Sequence, residues 1–263
     1  MIPILHIGAI SLPLPSLIII AGIWLGFTIS ERRADKYGIS NKQMGNLMLL
    51  AALTGLVGAR LAYVFRYPSA FYANPLDIFS RNPGLFDIYG GIVFALIASV
   101  IYIQRNNLDV FLILDSITPA LALLGISIGL SHLASGEFFG IPSDLPWAIN
   151  LWGSNRHPTQ IYEIILSLII FFLTFQGHQI FKPIKPGLVF LSFIALTAIA
   201  HIFIGYFRGD GALIFAGIRR DQLIAWVILA ITLWGIGKLR YKNFDDRHSN
   251  SGLSKPYGSV LNK

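Results

Sequence analysis

Long apolar runs separated by short polar connections dominate the sequence. Seven runs have roughly the 20 residues that a membrane-spanning helix needs, and they cover residues 9–29, 45–65, 86–104, 109–130, 160–180, 186–206 and 220–237. This pattern predicts an all-α, polytopic membrane protein with about seven transmembrane helices. Because the connections are short, we expect a single transmembrane helical domain over residues 1–242.

The composition favours the same class of protein. Hydrophobic residues make up 54% of the 263 residues and charged residues 13%, whereas soluble domains carry about 25% charged residues. The mean hydropathy is +0.65. No basic stretch precedes the first apolar run, and no small-residue cleavage site follows it before Glu31. We therefore interpret this run as a retained helix and not as a cleaved signal peptide.

Clusters of basic residues predict the orientation in the membrane. They follow the first and the last predicted helix: Arg32, Arg33, Lys36 and Lys42, and then Lys238, Arg240, Lys242, Arg247, Lys255 and Lys263. The positive-inside rule makes both regions cytoplasmic, and an odd number of spans then places the amino terminus outside and the carboxyl terminus in the cytoplasm. Residues 243–263 are polar and charged, which predicts a disordered cytoplasmic tail.

The net charge and the absence of cysteine limit the possible partners. Anionic lipid attracts cytoplasmic Lys and Arg, so the net charge of +7 needs no nucleic acid to explain it. With no cysteine in the chain, a cysteine nucleophile, a disulfide and a thiolate metal ligand are excluded. We predict no metal and no cofactor, and any thiol in the reaction must belong to a substrate.

A polar stretch at residues 156–163 runs directly into the fifth apolar segment. Ionisable groups near hydrocarbon are costly unless they are paired or face water, so this position indicates a functional site. The outer connection before it, residues 131–159, is the longest in the chain. It carries five ionisable residues: His132, Glu137, Asp144, Arg156 and His157. We expect this loop to form part of the site.

Several polar positions allow two interpretations. Arg60, inside the second predicted helix, could extend towards the outer surface or bind an anion. Paired glycines at 90 and 91 could admit a lipid headgroup or a neighbouring helix. Glu163 could stabilise the helix macrodipole or hold Arg60 or Arg156 by a charge-assisted hydrogen bond. Arginines on the outer side, against the general charge bias, suggest an anion such as a lipid phosphate.

Taken together, these residues resemble the prolipoprotein diacylglyceryl transferase family of bacterial membrane enzymes. The matching segments occur in the family's order at residues 58–61, 89–91, 136–142, 156–163 and 221–222. The resemblance implies a multi-pass enzyme of the bacterial cytoplasmic (inner) membrane. Such an enzyme moves a diacylglyceryl group from phosphatidylglycerol, or a related anionic phospholipid, to the lipobox cysteine thiol of a prolipoprotein.

The resemblance also implies roles for individual residues. Four are candidates for catalysis: His132, His201, Tyr89 and Glu163. Three would bind the lipid phosphate: Arg60, Arg156 and Arg208. Nine further positions would support the site: Gly90, Gly91, Gly136, Glu137, Gly140, His157, Gln160, Tyr162 and Gln222.

The sequence departs from the family pattern at four positions. Tyr89 stands where a histidine is expected, Gly129 where an arginine is expected, His132 where an asparagine is expected and His201 where an arginine is expected. Either histidine could supply the base, since imidazole transfers protons near neutral pH. The alternative hypothesis is a lipid-binding relative without the reaction or with another substrate. A third hypothesis is a small transporter of an amphiphilic anion, although the chain lacks the internal repeat typical of one.

Overall fold

The computed structural model describes residues 4–7, 10–72, 74–80, 82–177, 185–210, 213–215 and 218–250. Its α-helices are α1 (Leu14–Arg33), α2 (Asn41–Arg66), α3 (Ser69–Tyr72), α4 (Ile88–Arg105), α5 (Val110–Ser135), α6 (Thr159–Phe175), α7 (Leu188–Phe207) and α8 (Arg220–Asn250). Short 3₁₀ helices occupy Ala34–Tyr37, Pro75–Phe79 and Pro83–Leu85.

Three two-stranded antiparallel hairpins accompany the helices in the described ranges. They pair β1 (Ile4–Ile7) with β2 (Ile10–Pro13), β3 (Ile149–Leu151) with β4 (Ser154–Arg156), and β5 (Leu213–Phe215) with β6 (Ile218–Arg219). Trp152 and Gly153 connect β3 to β4, and both have positive φ. A tight type I′ turn requires this conformation at its two central residues. The sequence pattern did not predict these hairpins.

Six helical segments in the described part of the chain are long and apolar enough to cross a membrane. They are Leu14–Tyr37, Asn41–Arg66, Ile88–Arg105, Val110–Ser135, Leu188–Phe207 and Arg220–Leu239. Helix α6 is apolar but has 17 residues, and the last residues of the predicted segment 160–180 lie outside the described ranges. The prediction of a mostly helical, multi-pass membrane protein is confirmed. The count of seven spans and the orientation of the termini stay predictions.

Helix boundaries follow local capping chemistry. Ser40 caps α2 by accepting a hydrogen bond from the Gln43 backbone, and the Gln43 side chain accepts from the Ser40 backbone, which completes a capping box. Asp87 caps α4 by accepting from the Gly90 N–H. Helix α8 continues to Asn250, past the predicted domain boundary at residue 242, and residues 251–263 lie outside the described ranges.

Internal packing divides the chain into two units. The first unit comprises residues 1–22 and 121–263, and the second unit comprises residues 23–120. In the second unit, α2 packs along α4, and the buried core includes Ala34, Tyr37, Ile39, Met44, Leu47, Ile103 and Ile113. In the first unit, α7 packs against both α6 and α8. Its buried clusters contain Ala122, Ile170 and Ala200, and Ala195, Ala198 and Leu229.

Candidate functional site

Arg60, in the second unit, holds the connection between α2 and α4. Its side chain is buried, and its guanidinium donates hydrogen bonds to three backbone carbonyls of this connection: Asp77, Ile78 at 2.7 Å and Leu85 at 2.5 Å. These hydrogen bonds offset much of the free-energy cost of burying the charged guanidinium. The contacts favour a role in organising the loop, and phosphate binding by Arg60 stays a prediction.

The glycine pair at the start of α4 allows close contact with α2. A Cβ atom on Gly90 would lie 2.1 Å from Cβ of Ala62, and one on Gly91 would lie 2.8 Å from the carbonyl oxygen of Gly55. The packing interpretation of these glycines therefore has a direct structural basis. Tyr89, the neighbouring candidate, is 78% exposed.

The central feature of the first unit is a pair formed by His132 and Glu163. Nδ1 of His132, in the last turn of α5, lies 2.8 Å from Oε2 of Glu163, in the first turns of α6. The side chains are 15% and 17% exposed. The predicted outer connection began at residue 131, whereas α5 extends through Ser135, and this extra turn carries His132 to the carboxylate.

Arg156, one of the two arginines that Glu163 could hold, instead forms its hydrogen bonds with backbone carbonyls. Arg156 Nε donates to the carbonyl of Leu151 at 3.1 Å, and Nη1 donates to that of Gly140 at 3.2 Å. Its guanidinium also lies 4.9 Å from the centre of the Phe139 ring. Arg156 therefore ties the β3–β4 hairpin to the segment after α5, and its predicted phosphate binding stays a prediction.

Phe138 contacts two of the candidate residues. Its ring stacks on the His132 imidazole, with centroids 3.8 Å apart and planes 20° apart. The guanidinium carbon of Arg208 lies 4.2 Å from the centre of the same ring. Phe138 has a φ of 56°, a left-handed conformation that is uncommon for a bulky residue and is often found at functional sites.

Arg208 is surrounded by carboxylates. Its Nε and Nη2 donate to the two carboxylate oxygens of Asp210 at 2.9 and 3.1 Å, and Nη1 lies 3.6 Å from Asp221. Arg219 donates to the carbonyls of Gly205, at 3.0 Å, and Arg208. The carboxyl end of α7 and the start of α8 thus bring together two guanidinium groups and two carboxylates.

Two of the segments that match the family pattern, residues 136–142 and 156–163, contact each other. Gln160 Nε2 donates to the carbonyl of Glu137 at 2.8 Å, and Thr159 Oγ1 donates to that of Phe138 at 2.5 Å. Gln160 is fully buried, while Glu137 is exposed. The start of α6 therefore fixes the backbone that presents Phe138.

The remaining supporting residues fix side chains around α7. The Tyr162 hydroxyl accepts from Trp147 Nε1 at 2.9 Å and lies 3.3 Å from Nδ1 of His157. Gln222 Nε2 donates to the carbonyl of Ile202 at 3.2 Å. Gly136 accepts a hydrogen bond from Trp152 Nε1 at its carbonyl. These contacts hold the loop and the helix ends in position.

Three cavities of the first unit meet at His201. The first cleft, about 260 Å³, lies among α5, α6 and α7, and the second cleft, about 360 Å³, lies between α7 and α8. Both are mainly apolar. A third, smaller pocket of about 30 Å³ includes five ionisable residues in its lining, and for this reason we call it the polar pocket: Glu163, His201, Arg208, Arg219 and Asp221. Glu163 also lines the first cleft, so this carboxylate and His201 lie where the first cleft adjoins the polar pocket.

Sequence reasoning missed several of these residues. Phe138 carried no ionisable group, and Asp210 and Asp221 were not assigned as partners of Arg208. Ser167 and Thr197, which line the first cleft, are hydroxyl residues inside otherwise apolar helical segments, and that contrast was the available signal. Among the residues that the structure describes, no group of three or more His, Asp or Glu side chains is arranged to hold a metal ion.

The fold and the site define a class: a multi-pass helical membrane protein whose cavities join apolar walls to paired ionisable groups. The chain belongs to the prolipoprotein diacylglyceryl transferase family, whose family model matches residues 3–237.

Proteins named phosphatidylglycerol–prolipoprotein diacylglyceryl transferase resemble the chain over most of its length. The protein of that name from Finegoldia magna is 31% identical over 231 residues, which cover 86% of this chain and 90% of the relative. The one from Bordetella parapertussis is 28% identical, over 89% of this chain and 92% of the relative. The one from Thermosynechococcus vestitus is 27% identical, over 90% and 92%.

Proposed function

We propose that this protein transfers a diacylglyceryl group from phosphatidylglycerol to the lipobox cysteine thiol of prolipoproteins. Membership of the family and the names of its relatives support this activity. The observation that carries the proposal to particular residues is the His132–Glu163 pair, since Glu163 lines both the first cleft and the polar pocket.

In the proposed reaction, His132 acts as the general base. Glu163 accepts the Nδ1 proton of His132, which leaves Nε2 to take the proton of the substrate thiol. The thiolate then attacks the glycerol carbon that carries the phosphate ester. A carbon–sulfur bond forms, the carbon–oxygen bond breaks, and glycerol phosphate leaves with the electron pair. The carboxylate of Glu163 stabilises the imidazolium that results.

Arg208 is the proposed partner of the lipid phosphate. It lines the polar pocket next to Glu163 and His201, and a preorganised guanidinium stabilises the negative charge that develops on the leaving group. Asp210 would orient it through two hydrogen bonds. His201 would line the headgroup site beside it, while Arg60 and Arg156 would act mainly on the loops they hold.

The proposed topology has seven spans, an external amino terminus and a cytoplasmic carboxyl terminus in the bacterial inner membrane. Residues 1–242 would form one domain, with the segment after 242 in the cytoplasm. The basic clusters after the first and last spans support this orientation. Under this topology, α5 ends and α6 begins on the outer side, where a secreted lipobox substrate is accessible.

Incubation with phosphatidylglycerol and a lipobox peptide tests the activity directly. Mass spectrometry should detect the diacylglyceryl adduct of the peptide, and its yield should fall at least 100-fold in His132→Ala. A peptide with serine in place of its cysteine is the substrate control. No adduct from folded, lipid-loaded protein would contradict the proposed activity.

One structural feature favours the alternative of a lipid-binding relative without this reaction. A Cβ atom on Gly129 would lie 2.9 Å from Cγ1 of Ile164, so helix packing fills the place where the family pattern has an arginine. Copurified phosphatidylglycerol without turnover would support this alternative, and robust turnover would exclude it.

A further inference from the structure

Thr197 differs from the other threonines of the chain in its hydrogen bonding. Six threonine hydroxyls donate to a backbone carbonyl, and they belong to Thr28, Thr54, Thr118, Thr159, Thr174 and Thr232. The Oγ1 atom of Thr197 is buried and has no hydrogen-bond partner within the described part of the chain. A buried hydroxyl without a hydrogen-bond partner is destabilising. A ligand that accepts a hydrogen bond from Thr197 would remove this cost.

Thr197 lies where a ligand can reach it. It lines the first cleft and the second cleft, together with His201 four residues later on α7. A helical threonine populates two side-chain rotamers, and a hydrogen bond to a ligand requires the rotamer that brings Oγ1 to the cleft.

Ser167 supplies a second hydroxyl on the facing wall of the first cleft. It lies on α6 four residues after Glu163, and both residues line this cleft. A Cβ atom on Gly125 would lie 3.2 Å from Ser167 Oγ, so the glycine leaves space for the hydroxyl. On both walls, a hydroxyl therefore lies one helical turn, about 5.4 Å, further from the outer end than an ionisable residue.

This spacing matches the chemistry of a diacyl phospholipid. Ester carbonyls, which are hydrogen-bond acceptors, lie between its phosphate and its alkyl chains. We propose that the Thr197 and Ser167 hydroxyls donate hydrogen bonds to the ester carbonyls of the bound lipid, so that the first cleft distinguishes ester-linked from ether-linked lipids. The inference rests on the proposed function, because it takes a phospholipid as the ligand of this cleft.

Binding of two lipids that differ only in these carbonyls tests the inference. The full-length protein in nanodiscs is titrated with dioleoyl phosphatidylglycerol and with its di-O-alkyl ether analogue. The wild type should bind the diester about 2- to 10-fold more tightly, the effect of one or two neutral hydrogen bonds. Thr197→Val should lose most of this preference, Ser167→Ala part of it, and Thr197→Ser should keep it.

Thr174→Val is the matched control. Its hydroxyl is also buried but donates to the Ile170 carbonyl of its own helix, so the variant should keep the wild-type preference. Thermal unfolding of each variant shows whether it is folded. Equal binding of the two lipids by the wild type, or an unchanged preference in folded Thr197→Val, would overturn the inference.

A parallel transfer assay separates this inference from the proposed function. An ester preference that depends on Thr197, without transfer to a lipobox peptide, would overturn the transferase proposal and support the role of the hydroxyl. Transfer that proceeds equally from the diester and the diether would overturn the role of the hydroxyls and support the transferase proposal. If the protein recognised only the phosphate of the lipid, it would bind the diester and the diether equally, and this result would also overturn the role of the hydroxyls.

Discussion

The carboxylate of Glu163 lies 2.8 Å from the Nδ1 atom of His132. In the proposed reaction, Nδ1 bonds to this carboxylate and Nε2 takes the proton of the thiol. We predict that Glu163→Gln lowers kcat for diacylglyceryl transfer about 100-fold, because the amide can hold the ring but cannot stabilise the imidazolium. KM should change little if Glu163 acts through His132.

Asp144→Asn is the control for this prediction. Asp144 is an exposed carboxylate of the same connection, and its loss should leave kcat within twofold, as surface substitutions usually do. A wild-type kcat in Glu163→Gln would show that the pair serves structure alone.

Arg156 should stabilise the connection between α5 and α6. Replacing it with Ala removes charge-assisted bonds to the Leu151 and Gly140 carbonyls, at a cost of about 1.5–3 kcal/mol in the free energy of unfolding. We expect faster proteolysis between residues 136 and 158 and loss of transfer. The control is Arg105→Ala, at an exposed helix end, which should match the wild type in proteolysis and in transfer. Wild-type proteolysis and transfer in Arg156→Ala would contradict the prediction.

The α2–α4 contact should be sensitive to a single methyl group. Gly91→Ala places Cβ 2.8 Å from the Gly55 carbonyl, and overpacking of this kind costs about 1–3 kcal/mol. A lower Tm in nanodiscs is the expected result. Gly237→Ala adds the same methyl group where no heavy atom lies within 4 Å, so its Tm should be unchanged or higher. Equal Tm values for both variants would contradict the packing.

The cap of α4 should lose its stabilising effect in acid. The Gly90 N–H, and then the Arg66 guanidinium, hold the pKa of the Asp87 carboxyl below its ordinary value of 3.8. Because the pKa is lower in the folded protein, the ionised carboxyl stabilises the fold above pH 3.8, and this contribution is lost as the pH falls through the folded pKa.

Asp87→Asn provides the measurement for the acid dependence. The Tm difference between wild type and this variant should be constant above pH 5 and should shrink below pH 3.8. In the Arg66→Gln background, the Tm effect of Asp87→Asn should depend less on pH than it does in the wild type. It should not vanish, because the Gly90 N–H still lowers the pKa of Asp87. A difference that stays constant in acid would show that Asp87 does not titrate as described.

The apolar pattern predicted most of the helices because hydrophobic length depends only on local sequence. Residues 45–65 and 186–206 lie within or nearly match α2 and α7. The β3–β4 hairpin was missed because its pairing joins only three residues from each strand, too few for a periodic signal. The end of α5 was set five residues early because His132 and Ser135 are polar, although both belong to its last turn.

The candidate site was predicted as a set of residues and not as a set of contacts. Residues 156–163 identified the start of α6 correctly, but the Glu163 carboxylate pairs with His132, which was not among the partners that the sequence suggested. Single-sequence reasoning favours the strongest charge as a partner, whereas the pairing depends on which side chains face each other across two helices. Phe138 shows the same limit, since its importance arises from stacking and not from ionisation.

The first cleft also affects the choice of detergent or bilayer in which lipid binding to this protein is measured. Apolar walls attract any alkyl chain, because the hydrophobic effect is non-directional, and a cleft of about 260 Å³ admits a detergent tail as readily as a fatty acyl chain. We therefore expect detergent to compete with the lipid for this cleft. The apparent affinity for the lipid should fall as the detergent tail lengthens, so lipid affinities should be compared in bilayers of one fixed composition.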